Sequence, residues 1–161
     1  MFFRRIFLIK IIFLITISCR NSKTSFSEID IVYEKNQMLF IKETERFTGL
    51  VLEYYNDKQP KVEINIIDGL KDGIFRQYYE NGKLQVESKF KKGKLVGKFT
   101  AFHENGNEQI ITFYKENLRM GSFEEFYDNK KLKLCGNYFK GIKIGQFEEY
   151  FKSGGEAIYN Y

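Results

Sequence analysis

His103 is the single histidine of this 161-residue chain, and Cys19 and Cys135 are its only cysteines. A closed zinc site generally takes four ligands, so one imidazole and one spare thiol do not build one. The carboxylates offer little more. Glycoside hydrolysis needs two acids about 5 to 10 Å apart across a cleft, whereas Glu124-Glu125 and Glu148-Glu149 are adjacent in strand-like runs and project to opposite faces. Glu80, Glu104 and Asp128 each stand just before a turn-forming residue, where a carboxylate supports the turn and stays solvated. The glycines recur at a fixed period and none opens a helix, so turn geometry accounts for them rather than a phosphate cradle. The inventory points away from hydrolase chemistry. A non-enzymatic chain with no cofactor and no metal is expected.

One set of side chains has the geometry of a binding surface. Tyr54, Tyr78, Phe102, Phe126 and Tyr150 form an aromatic ridge, with Arg76, Lys131 and Lys133 close by in sequence. Stacked rings beside cations could grip a partner strand, a glycan or single-stranded nucleic acid. The competing reading is packing, in which each ring shields a glycine across the strand boundary.

The elements that would hold this ridge follow from an internal period. Gly49, Gly73, Gly97, Gly121 and Gly145 are 24 residues apart without an insertion. Two residues on stand Val51, Phe75, Phe99, Phe123 and Phe147; six residues on stand Tyr55, Tyr79, His103, Tyr127 and Phe151, which makes His103 one more ring in a packing row. A turn slot follows at Asn81-Gly82, Asn105-Gly106, Asn129-Lys130 and Ser153-Gly154, and a second turn at Gly69, Gly93, Asn117 and Gly141. Composition agrees with strands: 17 Phe and 11 Tyr against two alanines, Ala101 and Ala157.

Each unit reads as a β-hairpin, with Asn-Gly supplying the two positive-φ residues of a type I′ turn. In the second unit this opposes Tyr79 with Leu84, Gln77 with Val86 and Phe75 with Ser88 on one face, and Tyr78 with Gln85, Arg76 with Glu87 and Ile74 with Lys89 on the other. The expected fold is all-β: one elongated antiparallel meander of about five 24-residue hairpins over 47–161. Residues 26–46 read as a degenerate N-terminal hairpin that covers the first edge. Because no helix is predicted to cover the apolar face, that face either buries itself by curling or meets a protein partner or a second copy.

The first 18 residues read as a signal peptide: Arg4-Arg5, then an apolar run from Ile6 to Ile17 broken by Lys10, too short to span a bilayer comfortably. The sequence Thr16-Ile17-Ser18-Cys19 resembles the bacterial lipobox, with Thr16 where Leu is usual. That resemblance implies acylation at Cys19, a lipidated tether over 19–25 and anchoring on the periplasmic side or cell surface of the bacterial envelope. An uncleaved anchor and ordinary secretion are the alternatives. Of 26 basic residues, three lie in the first 19 and no acid does, so 23 basic against 21 acidic residues remain. This near balance disfavours a nucleic-acid partner. Cys135, then the only free thiol, reads as a small strand filler.

The run Gly-x-Phe-x-x-Tyr-Tyr-x-Asn-Gly-Lys-Leu from Gly73, with Phe90-Lys91-Lys92-Gly93-Lys94 beyond it, resembles the variant MORN repeat of bacterial proteins. The likeness extends over 47–161. It weakens at Asp57-Lys58 and Pro60 in the first unit and at Asn107-Glu108 in the third. The resemblance implies a curved sheet for protein or lipid contact. Some of these proteins are labelled antitoxin components, which makes neutralisation of a partner the alternative to a scaffold.

Overall fold

The computed structural model describes residues 23–34, 37–56 and 58–161; the predicted signal peptide and Cys19 lie outside them. The chain opens with three short elements, β1 (Lys23–Ser25), a single 3-10 turn (Phe26–Glu28) and β2 (Asp30–Glu34). β3 (Gln37–Lys42) and β4 (Glu45–Arg46) follow. Then come five hairpins: β5 (Gly49–Asn56) with β6 (Gln59–Ile67), β7 (Leu70–Tyr78) with β8 (Leu84–Lys91), and β9 (Lys94–Phe102) with β10 (Glu108–Lys115). The last two are β11 (Leu118–Phe126) with β12 (Leu132–Phe139), and β13 (Ile142–Tyr150) with β14 (Glu156–Asn160). β5 to β14 lie side by side in chain order in one 11-stranded sheet, an open all-β meander as the repeat predicts.

Three details differ from the sequence expectation. The first concerns the edge. β1 takes it, pairing in parallel with β5 through Lys23–Leu50, Thr24–Val51 and Ser25–Leu52. β2, β3 and β4 form a separate three-stranded sheet, so the N-terminal hairpin covers a face and not an edge. Ile29, Phe40 and Phe47 pack there on Val51, Ile64 and Ile66 in one buried cluster. The tie is also a backbone one: Phe40 N–H donates to Gly69 O at 2.8 Å, and Gly69 N–H to Phe47 O at 2.8 Å. Three of the seven residues expected to form the tether, Lys23–Ser25, are therefore strand.

The second concerns the turns, whose types are exchanged. At Asn81-Gly82 only Gly82 has positive φ, 79°. Gly82 N–H donates to Tyr79 O and Tyr79 N–H to Lys83 O, the pattern of a type I turn closed by a glycine bulge. Asn81 stays right-handed because its Oδ1 accepts the Lys83 N–H at 2.9 Å. The ladder accordingly pairs Tyr78 with Leu84 and leaves Gln85 bulged, while Gln77–Val86, Arg76–Glu87 and Phe75–Ser88 stand as expected. The type I′ turns are the others. Asp68-Gly69, Lys92-Gly93, Glu116-Asn117 and Lys140-Gly141 all have positive φ at both residues.

The third concerns the 24-residue glycines, which sit inside strands and not in turns. Between consecutive hairpins three residues face one. Asp72, Gly73 and Ile74 oppose Asn65 alone, because Lys71 pairs with Ile66 and Phe75 with Ile64. The same irregularity recurs at Gly97, Gly121 and Gly145. Such a bulge needs positive φ, and these four glycines have 118°, 73°, 88° and 66°. A Cβ at Gly97, Gly121 or Gly145 would meet nothing within 4 Å, so conformation and not crowding requires glycine there.

Strand alternation then divides the side chains. One face carries Phe75, Phe99, Phe123 and Phe147 with Phe90, Tyr114 and Tyr138. A second buried cluster of Phe123, Tyr138 and Phe147, backed by Ile110 and Leu134, closes the far end of the array without help from the N-terminal sheet. Size is compensated across the three middle hairpins. Phe75, Phe99 and Phe123 are directly opposite Ser88, Thr112 and Gly136.

Candidate interaction surface

The predicted ridge forms a row near the type I turns, on the face opposite the aromatic pairs. Its members pair with Pro60, Leu84, Glu108, Leu132 and Glu156. The residues opposite Gly73, Gly97 and Gly121 are instead Phe90, Tyr114 and Tyr138, so the ridge does not stand across from the repeat glycines as the packing reading required. Tyr54 is the most open ridge ring at 43% exposure. Tyr78 donates to Glu63 Oε2 at 3.1 Å, and burial together with Glu63 pushes its phenol upward. Tyr150 donates to Glu148 Oε2 at 2.6 Å, and this bond to a carboxylate pushes its phenol up to about 12. Two of the three cations assigned to the ridge are already neutralised: Arg76 by Glu87 at 2.8 Å and Lys133 by Glu125 at 2.6 Å.

The neighbouring row works as a staple. Tyr55, Tyr79 and Tyr127 each donate a hydroxyl to the backbone carbonyl of the ridge residue one unit on, Tyr78, Phe102 and Tyr150, at 2.9, 2.7 and 2.9 Å. His103 holds the equivalent place, Nε2 to Phe126 O at 2.9 Å, which fixes the proton on Nε2 because a carbonyl only accepts. Asparagine side chains stitch the same edge, Asn81 Nδ2 to Glu104 O and Asn105 Nδ2 to Asp128 O. On the opposite edge the second residue of each type I′ turn donates its N–H to the preceding unit: Gly69 to Phe47 O, Gly93 to Lys71 O, Asn117 to Leu95 O and Gly141 to Arg119 O. Every unit is thereby tied to the next at both ends. His103→Tyr is expected to leave the urea midpoint unchanged or raise it, while His103→Phe loses about 1 kcal/mol by leaving the Phe126 carbonyl short of a donor; paired urea melts of the two variants check this.

Cys135 faces the ridge side, paired across strands with Glu124 and Glu148. Burial first, then Glu148 and Glu124, push its thiol upward, so it is a poor nucleophile at neutral pH. Among the described residues no three His, Cys, Asp or Glu side chains gather to hold a metal ion.

The aromatic face carries a feature that the residue-by-residue reading passed over. Two residues before each of the five repeat glycines stand Phe47, Lys71, Leu95, Arg119 and Lys143. Lys71 Nζ lies 5.5 Å from the Phe75 ring centroid and 5.1 Å from that of Phe90. Arg119 sits 5.5 Å from Phe123 and 5.1 Å from Tyr138, and Lys143 4.6 Å from Phe147 and 4.7 Å from Tyr161. Burial alone lowers the Lys71 ammonium from its ordinary value. The 24-residue register was the signal that could have found this row.

With this geometry in place, comparison with known proteins is informative at one unit. Residues 71–92 match the MORN repeat variant. The matched span is the hairpin of β7 and β8, and the same MORN-like pattern of bulge glycine, aromatic pair and two turns is repeated along the array. No curated protein matches the chain. Among solved structures, a GtfA/B complex bound to UDP and GlcNAc aligns at 9% identity and a TM-score of 0.27, over 82% of this chain and 24% of that one. The chain thus spans about a quarter of that protein's length, and a likeness of this order carries no argument about either fold or activity.

Proposed function

We propose that this chain is a non-enzymatic lipoprotein of the bacterial envelope whose MORN-like sheet is a protein-binding or scaffold surface. The observation that carries the binding role is the middle of the aromatic face. Val51 and Phe147, near its two ends, are 0% exposed, yet Phe99 and Tyr114 between them stay half-buried and belong to neither buried cluster. Contiguous apolar surface of this kind is where soluble domains meet partners. The stitched turns favour a scaffold, since equivalent slots recur at a rigid spacing of about 10 Å per hairpin.

Anchoring rests on the leader. β1 begins four residues after Cys19, and four extended residues reach at most about 14 Å, so acylated Cys19 would hold the β1 edge of the array close to the bilayer. The test has two parts. Fractionation and intact mass of the native chain are compared with a Cys19→Ser variant, with release from the membrane and loss of the acyl mass expected. A photo-crosslinking residue at Phe99 is compared with one at the exposed Phe113, which projects from the opposite face; a specific adduct from Phe99 alone supports the binding face, and equal labelling from both refutes it.

A further inference from the structure

The cation row names the chemistry of the partner. Lys71, Arg119 and Lys143 take part in none of the ion pairs among the described residues, and what sets them apart from the other unpaired lysines is that each lies over an aromatic pair. Their positive charge is met only by ring faces and, for Arg119 and Lys143, by tyrosine hydroxyls at 3.2 to 3.4 Å. All three belong to one register on one face, so the aromatic strip has an uncompensated positive margin interrupted only by Leu95.

Spacing decides what can lie along it. Consecutive hairpins are about 10 Å apart. A polyproline II chain rises about 3.1 Å per residue with three residues per turn, so its i, i+3, i+6 and i+9 side chains share one side at intervals of about 9 Å. A β-strand does not fit, because residues three apart point to opposite faces. Polyproline II segments also dock on aromatic grooves without further ordering cost.

We propose that the aromatic face binds an acidic polyproline II segment of another protein, with carboxylates at i, i+6 and i+9 meeting Lys71, Arg119 and Lys143 and an apolar residue at i+3 meeting Leu95. This rests on the reading of the aromatic face as a protein-binding surface and adds the identity of what it takes.

The test uses the full chain and fluorescently labelled ten-residue peptides, proline-rich, with Glu at positions 1, 7 and 10 and Leu at 4, together with the reversed pattern and a peptide of the same composition with Glu at 1, 6 and 8. One of the two patterned peptides is expected to bind about tenfold more tightly than the shuffled one, since three exposed ion pairs contribute roughly 0.2 to 1 kcal/mol each. Lys143→Met should weaken it by about two- to fivefold. Leu95→Lys completes the row of cations at the position opposite Phe90, and should tighten a peptide carrying Glu at position 4 by a similar factor. Equal binding of patterned and shuffled peptides, or indifference to Leu95→Lys, overturns the proposal. So does binding of phosphatidylglycerol vesicles with the same dependence on Lys143 in the absence of peptide binding, which would make the row a lipid site. A protein adduct from Phe99 with no patterned peptide bound would sink this inference and leave the binding face standing; neither adduct nor peptide would sink both.

Discussion

Phe40→Ala is expected to cost about 3 to 5 kcal/mol and to free the N-terminal sheet while the far end of the array stays folded. Phe40 is 1% exposed and joins Ile29 and Phe47 to Val51, Ile64 and Ile66. Its removal leaves a cavity that β3 cannot close, because its own N–H and C=O are already held by Gly69 O and Phe47 N–H. The second cluster, Phe123 with Tyr138 and Phe147, shares no member with the first. In a repeat array whose units contact mainly their neighbours, damage at one end need not propagate. Hydrogen exchange should therefore show protection lost over 23–67 and retained around Phe123 and Tyr138. Uniform loss along the chain would mean that the stitched turns make the array one cooperative unit.

The second large effect is at Gly136, a glycine outside the 24-residue series. Its φ is not positive, so alanine is conformationally acceptable. Space is the obstacle: a Cβ there would lie 2.6 Å from three ring carbons of Phe147, where about 3.5 to 4 Å is needed. Phe147 is 0% exposed, wedged among Tyr138 and Tyr161 at centroid distances of 5.5 and 5.4 Å and Phe123 at 6.5 Å. Gly136→Ala should cost about 1 to 3 kcal/mol by overpacking. Gly121→Ala is the contrast. It meets no atom within 4 Å but has φ of 88°, so it should lose about 1 to 2 kcal/mol for backbone reasons alone. A urea-unfolding cycle with Phe147→Leu separates them: the Gly136 penalty shrinks when the ring is gone, and the Gly121 penalty does not. Additivity at both sites would refute the steric account.

Much of the fold was legible because its causes are local. The 24-residue period, the all-β class and the separation of Phe75, Gln77 and Val86 from Arg76, Glu87 and Lys89 follow from side chains alternating along a strand, which any segment carries by itself. His103 was legible as a member of the tyrosine row for the same reason, since its register places it there before any contact is known. The turn types were not. Asn-Gly by itself favours the type I′ hairpin, but here Asn81 is occupied with Lys83 N–H and the neighbouring turn, and positive φ at both residues falls at Lys92-Gly93.

The remaining features depend on which strands become neighbours. The repeat glycines are bulge residues because consecutive hairpins meet with three residues facing one, a mismatch that exists only when the second hairpin is in place. Gly136 is required by a ring eleven residues further on, and Lys71, Arg119 and Lys143 become one margin only when four consecutive hairpins lie in register. The sequence by itself determined the repeat, the strands and their two faces, through local periodicity; the tertiary structure decided the bulges, the covered end and the cation row, because each is a contact between residues that only the stacked sheet brings within reach.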